Sequence, residues 1–302
     1  MKHRVAKFVI SAGLYACSVL CDMARSILKK PRVATFTIIY YHCVPDERRA
    51  QFARQMDLLL RVAVPVGLER VACEEAAVRP RRLVVVTFDD AFHSVFRNGL
   101  PELAERGIPS AVFVPSGHLG RRPGWITDPS HEGFGERVML PEEVTRCRSE
   151  LVTIGSHTVS HRDLRLLDEQ EARKEMAGSR RDLESLIGNQ VRLLAFPYGS
   201  HDQDVARWAK EAGYLRAFSG LPGFSRRMGD EFLVGRIGVS TEDWPLEFRL
   251  KILGAYRWLS AAVSAKRKVR SALRRLARRG DTGGGGRGNA ELTSRGTAGD
   301  GS

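Results

Sequence analysis

Two short segments contain the residue types that bind a catalytic divalent metal. Asp89 and Asp90 end the apolar run LVVVTFDD, and His157 and His161 lie four residues apart in GSHTVSH. A catalytic metal in a hydrolase commonly has three protein ligands of oxygen and nitrogen type and keeps one position open. The two segments offer such a set with one carboxylate to spare. Each motif is also common without a metal, but their co-occurrence predicts a metal-dependent hydrolase.

Both segments follow strand-like runs. Leu83 to Phe88 is β-branched and apolar without alternation, which is typical of a strand buried on both faces of a parallel sheet. A shorter run of the same kind, 151–154, precedes the histidines. Active sites of parallel α/β folds form at the carboxyl ends of the strands. Neighbouring strand side chains diverge, so one aspartate would bind the metal while the other acts as a base.

A third segment, LLAFPYG at 193–199, ends in a turn formed by Pro197, Tyr198 and Gly199. Backbone N–H groups of such a turn can face a ligand. An N–H aimed at a developing oxyanion is a further requirement of amide or ester hydrolysis. From this segment alone, a simple turn after a strand is an equally good interpretation.

Together these segments resemble the motifs of the polysaccharide deacetylase family, the NodB homology or carbohydrate esterase 4 group. Segments 87–90, 156–161 and 196–199 match in order, within a region from Phe36 to Trp244. Members of this family remove acetyl groups from polymeric sugars. The resemblance implies an α/β fold, an irregular, TIM-like (β/α) barrel with seven strands.

The resemblance also implies roles for individual residues. Asp89 would be the general base, the Tyr198 backbone N–H would help to form the oxyanion hole, and Pro197 would contact the substrate. The implied metal ligands are Asp90, His157 and His161. Zinc is the expected ion, and this mixed ligand set also suits Co, Ni, Mn or Fe.

The chain departs from the family pattern around the base. Ala195 stands where many members have an arginine that orients the base, and Ala91 replaces the usual glycine after the aspartates. Arg236, on the strand-like stretch 232–239, is a candidate replacement for that arginine.

The general acid is a second departure, because no histidine follows His201 and the family's late Leu-x-His motif is therefore missing. His42 ends the strand-like run 36–41 and should emerge on the same rim as Asp89, so we predict that it is the acid. A packed structural histidine is the alternative, and His201 is the second choice.

Trp244, in a segment that resembles the family's Asp-Trp motif, is a candidate platform for a sugar ring. Core packing at a helix start is the alternative interpretation for this residue.

The order of elements agrees with a single barrel domain over residues 33–265. Strand-like runs alternate with helical stretches at 50–60, 167–187 and 204–213, which predicts a parallel sheet. The long loop between residues 115 and 140 should shape access to the site. The strand-like runs are 36–41, 83–88, 109–114, 151–154, 191–196, 214–218 and 232–238.

The net charge of +13 resides in the two ends of the chain. Residues 1–32 have seven basic and one acidic residue, and residues 266–302 have ten and three, so the barrel is neutral. A neutral barrel argues against nucleic acid as a partner, although basic ends that bind nucleic acid are one alternative.

The two ends instead suggest an anionic membrane surface. The uncharged run from Phe8 to Cys21 is shorter than the roughly 20 residues of a spanning helix and fits an interfacial helix, a signal-type segment or a membrane-abutting core helix. The stretch 259–279 predicts a basic amphipathic helix, and the Gly-rich sequence after it predicts disorder. We therefore expect a membrane-associated bacterial-type protein, in the cell envelope or on the inner face of the cytoplasmic membrane.

The combined prediction is a hydrolase that removes acetyl groups, N-acetyl rather than O-acetyl, from a polysaccharide or lipid-linked glycan. A catalytically impaired, carbohydrate-binding relative is the alternative, because of Ala195 and the missing late histidine.

Overall fold

The computed structural model describes residues 2–27, 35–68, 82–222, 232–263 and 265–266. The chain divides into two compact units, Met1–Ser260 and Ala261–Ser302. All elements named below belong to the first unit. Most of the predicted basic helix at 259–279 and all of the Gly-rich tail lie outside the described residues.

A sheet of nine strands forms the centre of the first unit, and every strand pairing in it is parallel. The strand order is β8-β7-β6-β5-β4-β3-β1-β9, and β2 pairs with β3. The strands are β1 (Thr35–Tyr41), β2 (Val64–Pro65), β3 (Arg82–Phe88), β4 (Ser110–Val114), β5 (Val152–Ser156), β6 (Leu193–Ala195), β7 (Arg216–Ser219), β8 (Leu233–Gly235) and β9 (Ile237–Gly238).

The sheet nearly closes into a barrel at Arg236. This residue separates β8 from β9, and these two strands lie at opposite ends of the strand order. The predicted single strand at 232–238 is therefore split, so that its first half pairs with β7 and its second half with β1. Counting this run once and leaving out the two-residue β2 gives seven strands, which confirms the predicted irregular barrel.

Helices follow most strands and cover the outside of the barrel. The helices are α1 (Lys2–Ile27), α2 (Arg49–Val62), α3 (Leu100–Glu105), α4 (Pro141–Cys147), α5 (Glu169–Ile187), α6 (Gln203–Glu211) and α7 (Pro245–Ile252). The three predicted helices correspond to α2, α5 and α6. Side-chain caps fix two of them: Asp168 accepts a hydrogen bond from the Glu171 amide at the start of α5, and Asp202 accepts one from the Val205 amide at the start of α6.

Two apolar clusters alternate along the strands. Val84 and Val86 point to the larger cluster between sheet and helices, whereas Val85 points into the barrel. The interior cluster also includes Phe113 and Phe218. This alternation explains why β3 is apolar without a period of two: both of its faces are buried.

Helix α1 is longer than the predicted apolar run. Its first 20 residues, Lys2–Cys21, have the length and hydropathy of a membrane-spanning helix, and 6% of that window is buried. One side of α1 nevertheless packs on the barrel, where Ser11 is fully buried.

Candidate functional site

The three sequence motifs form tight turns after β3, β5 and β6, at one rim of the barrel. Among the described residues, every non-glycine with a positive φ lies in these turns: Asp90, Ala91, Thr158, His161 and Tyr198. A left-handed backbone costs roughly 1–3 kcal/mol at such residues and persists where the surrounding structure imposes it. Strain concentrated in these three turns at one rim therefore marks the rim as a candidate functional site.

The turns bring the three predicted metal ligands together. Oδ1 of Asp90 lies 3.1 Å from Nε2 of His161 and 3.6 Å from Nε2 of His157. All three side chains are buried, and one ligand atom of each lies within 4.8 Å of the others. Within the part of the chain that the structure describes, these three residues have the composition and spacing of a metal site.

The hydrogen bonds of His157 fix which ring nitrogen faces the cluster. Its Nδ1 lies 2.7 Å from the carbonyl oxygen of Ala195. Because a carbonyl can only accept, Nδ1 bears the hydrogen and the Nε2 lone pair points toward Asp90. Burial lowers the pKa of His157 to about 4, so its ring is neutral at neutral pH and suited to metal ligation.

The Asp90 carboxylate, which faces these two histidines, is ionised at neutral pH. Burial alone would raise its pKa, but contact with His161 and the neighbouring histidines outweighs burial and lowers the pKa to about 2. Neither Oδ1 of Asp90 nor Nδ1 of His161 has a hydrogen-bond partner among the described residues. An unpartnered carboxylate oxygen facing an imidazole lone pair fits a bound cation, so the residues present suit a divalent metal.

Asp89, the other member of the pair, is held by Arg236. The two guanidinium Nη atoms donate to Oδ1 and Oδ2 of Asp89 at 2.7 and 2.8 Å. Burial would raise the pKa of Asp89, but the charges of Arg236 and His157 and the hydrogen bonds from Arg236 together lower it. The guanidinium is itself fixed over the rings of Tyr40 and Phe113, at 4.7 and 5.1 Å.

His42 lies on the wall of the cavity above this cluster. The cavity has a volume of about 450 Å³, and its lining includes Asp89, Asp90, His157 and His161. The structure also places His131 on this wall, with its ring 6.4 Å from that of His42. His201, the second choice for the acid, is not among the lining residues; its ring stacks on Phe196.

The turn after β6 contributes Tyr198 to the cavity lining, whereas Pro197 is buried outside it. Tyr198 has a φ of 57° and its ring lies 4.8 Å from that of His161. Gly199, also with positive φ, faces the backbone of Gly220 so closely that a Cβ would collide with it. This glycine lets the turn approach the end of β7 and sets the position of Tyr198.

Trp244, the predicted platform for a sugar ring, is not among the residues that line the cavity. Phe8 of α1 packs edge-on against it at 5.8 Å, and Arg4 lies 4.6 Å above its ring. The tryptophan of the cavity is Trp125, which stacks on His161 at 4.2 Å with an interplanar angle of 14°. Trp125 belongs to the long loop at 115–140, whose sequence has no periodicity to indicate which side chain turns inward.

Glu175 of α5 is a further residue that the sequence did not reveal. Its Oε2 accepts hydrogen bonds from the amides of Val159 and Ser160, at 3.0 and 2.8 Å, and its Oε1 accepts from the Ser160 hydroxyl. These bonds fix the turn that presents His161. Because the contact joins helix α5 to a turn 15 residues earlier in the chain, no local sequence motif predicts it.

The geometry defines the class first: a (β/α) barrel with an Asp-His-His group that can bind a metal and a second, arginine-bound aspartate. The family model for polysaccharide deacetylase matches residues 76–217. The chain therefore contains a polysaccharide deacetylase domain.

Individual relatives agree with this assignment. YxkH of Bacillus subtilis (strain 168), named for the same family, is 20% identical over 72% of this chain and 76% of its own length. The poly-beta-1,6-N-acetyl-D-glucosamine N-deacetylase of Staphylococcus aureus (strain MRSA252) is 25% identical over 46% of this chain and 48% of its own length. The structure of IcaB from Ammonifex degensii is similar with a TM-score of 0.61 and 28% identity, over 73% of this chain and 98% of that one.

Proposed function

We propose that the protein is a metal-dependent hydrolase that removes N-acetyl groups from a polysaccharide or a lipid-linked glycan. The observation that carries this proposal is that two neighbouring aspartates line one cavity but have different partners. Asp90 faces two histidines, whereas Asp89 is bound by Arg236. Two carboxylates in separate environments can take separate roles, one as ligand and one as base.

The cation would be held by Asp90, His157 and His161, and zinc is the ion we expect, with Co, Ni, Mn or Fe as compatible ions. A divalent ion there supplies Lewis acidity that polarises the acetyl carbonyl. The residues around it maintain the ligand atoms in the required state: the Ala195 carbonyl fixes the tautomer of His157, and Trp125 restricts the ring of His161 by stacking.

Asp89 would take the proton of the attacking water. Its lowered pKa keeps the carboxylate ionised at neutral pH, and the two hydrogen bonds from Arg236 fix its orientation. Arg236 would thus take the orienting role that Ala195 leaves open. This arrangement supports an active enzyme over the catalytically impaired alternative.

The remaining two tasks are oxyanion stabilisation and protonation of the leaving nitrogen. The Tyr198 backbone N–H, on the turn after β6, is the proposed oxyanion donor. His42 is the proposed acid because it lines the same cavity as the base from a different strand.

The substrate class rests on the relatives and on the cavity. The Staphylococcus aureus relative is named for an N-acetylglucosamine polymer, and the cavity here has the aromatic side chains of Tyr40, Trp125 and Tyr198 on its walls. Aromatic faces suit the apolar faces of sugar rings. We therefore propose an N-acetylated hexosamine glycan.

Acetate release from acetylated glucosamine oligomers, with metal-reconstituted protein, tests this function. Asp89→Asn should lower the rate on the order of 100- to 10,000-fold because the base is lost, with metal content unchanged. An Asp89→Asn variant that keeps the full rate would contradict the mechanism.

The acid assignment has its own test. His42→Ala should lower the rate on the amide substrate by a comparable factor but retain hydrolysis of nitrophenyl acetate, because that leaving group needs no proton. His131→Ala, on the same wall of the cavity, is the matched control and should retain both activities. If His42→Ala loses activity equally on the amide substrate and on nitrophenyl acetate, His42 is not the acid.

A further inference from the structure

Helix α1 is docked on the barrel through a polar contact near the catalytic rim. The Arg4 guanidinium donates to Oε2 of Glu247 on α7, at 2.7 and 2.8 Å, and Glu247 is 3% exposed. The same arginine lies over Trp244, and Phe8 meets the edge of that ring. The first two turns of α1 are therefore fixed to the segment that follows β9.

Two further contacts continue the docked side along the barrel. The Trp258 indole N–H donates to the hydroxyl of Ser11, at 2.9 Å, and Ser11 is fully buried. Arg82, at the amino end of β3, donates to the hydroxyl of Tyr15 at 3.2 Å. Residues spaced three and four apart share one helix face, so positions 4, 8, 11 and 15 form a single docked stripe.

Opposite the docked stripe, the exposed face of α1 between Phe8 and Cys21 is apolar. From Phe8 to Cys21 the helix contains no charged residue. Monomeric soluble proteins rarely expose a contiguous apolar surface of this extent. The large apolar side chains exposed on α1 by 41 to 65% are Val5, Val9, Ile10, Leu14, Leu20 and Met23.

We propose that α1 lies in the plane of an anionic membrane surface, with its docked stripe on the barrel and its apolar face in the lipid. Charge identifies the lipid: Lys2 and Lys7 are exposed beside the apolar face, and residues 1–32 have seven basic residues against one acidic residue. A helix that spanned the bilayer would abandon the contacts of Arg4 and Ser11 and leave Glu247 buried without this partner.

The direction of α1 sets the orientation of the barrel on the membrane. Its residues run from Arg4, near the catalytic rim, to Tyr15, beside the amino end of β3. A helix that lies flat along the length of the barrel turns the cavity mouth sideways, along the membrane surface. On the proposed deacetylase function, this favours glycans held at the surface, such as lipid-linked chains.

Vesicle co-sedimentation of the full chain tests the membrane contact. Binding to phosphatidylcholine vesicles that contain phosphatidylglycerol should exceed binding to phosphatidylcholine alone. The double variant Val9→Glu and Leu14→Glu should lower binding at least about tenfold because charge replaces its apolar face. Leu166→Glu with Leu215→Glu, at apolar positions exposed elsewhere on the barrel, is the matched control and should bind like the wild type.

A spin label on a native cysteine of α1 measures how deeply this helix lies in the bilayer. Cys17 and Cys21 are exposed on α1, whereas Cys43 and Cys147 are buried. A nitroxide on Cys17, in a chain with Cys21→Ser and Cys73→Ser, should report a shallow position at the lipid headgroups. A label at the bilayer centre would indicate a spanning helix and overturn the proposal.

Two other outcomes would also overturn it: equal vesicle binding by both double variants, or no vesicle binding together with a dimer that Val9→Glu and Leu14→Glu dissociate. Acetate release from soluble oligomers should be unchanged in both double variants. A loss of vesicle binding with full acetate release therefore separates this proposal from the proposed enzymatic function.

Discussion

At the scale of single residues, the main feature is that the proposed base, Asp89, is held by Arg236 between β8 and β9, and not by a residue at position 195 on β6 as in the family pattern. Arg236 reaches Asp89 across the barrel interior, and the pair is almost completely buried. A buried pair is costly to break because the remaining charge has neither water nor partner. Chemistry and stability therefore depend on the same two hydrogen bonds.

Arg236→Gln should lower the free energy of unfolding by about 3–5 kcal/mol and kcat/KM on the order of 100-fold through misplacement of the base. Without Arg236, burial would dominate and raise the pKa of Asp89. The base would then ionise only at higher pH, so the acidic limb of the pH profile of kcat/KM should move to higher pH.

Thermal unfolding and the pH profile measure these effects. Arg173→Gln, which removes an exposed arginine with two carboxylate partners, is the control and should leave the pH profile unchanged. An unshifted acidic limb in Arg236→Gln would show that Arg236 does not control the ionisation of the base.

At the scale of elements, helix α5 supports the site from outside the cavity. Glu175 ties the backbone of the His161 turn to α5 through two amides and a hydroxyl. Residues that orient metal ligands typically change metal affinity by 10- to 100-fold when they are removed.

Glu175→Ala should therefore weaken zinc binding about 10- to 100-fold, as measured by calorimetric titration of the metal-free protein. Glu171→Ala removes an exposed carboxylate of the same helix, paired with Arg162, and should leave the zinc affinity unchanged. Equal affinities for both variants would exclude a positioning role for Glu175.

The elements also show how far the sequence predicts this fold. Strands β1, β3 and β4 were predictable because burial on both faces leaves an uninterrupted apolar run, and the turn motifs after β3, β5 and β6 combine unusual residues in a fixed order. Trp125 was not predictable, because its position depends on how an aperiodic loop packs on His161. The packing of Trp244 was not predictable either, because its partners Arg4 and Phe8 are remote in the sequence and approach only after α1 docks.

At the scale of the whole molecule, the unit Met1–Ser260 contains the barrel, its helices and the complete candidate site. The net positive charge outside residues 1–32 lies beyond this unit, since residues 266–302 have ten basic and three acidic residues, whereas residues 33–265 are neutral. Catalysis and any nonspecific attraction to polyanions should therefore be separable.

Deletion of residues 267–302 should leave the melting temperature and acetate release unchanged, because the first unit has its own core. Any salt-dependent affinity for DNA, measured by fluorescence anisotropy, should disappear with the deleted charges. Loss of DNA affinity on deletion would support the alternative in which the basic ends bind nucleic acid, whereas affinity that persists would place the polyanion site within residues 1–266.

The position of Arg236 between β8 and β9 has a consequence for inactivation. The residue that joins the two edges of the sheet also holds the proposed base, so we expect that opening of the barrel at this point abolishes activity. If the short strands β8 and β9 separated from their neighbours, Arg236 would lose its contact with Asp89. The site would then be inactive while the remaining strands were still paired. On warming, enzymatic activity should therefore be lost at a lower temperature than the helical circular-dichroism signal. Activity would then report whether the barrel is closed.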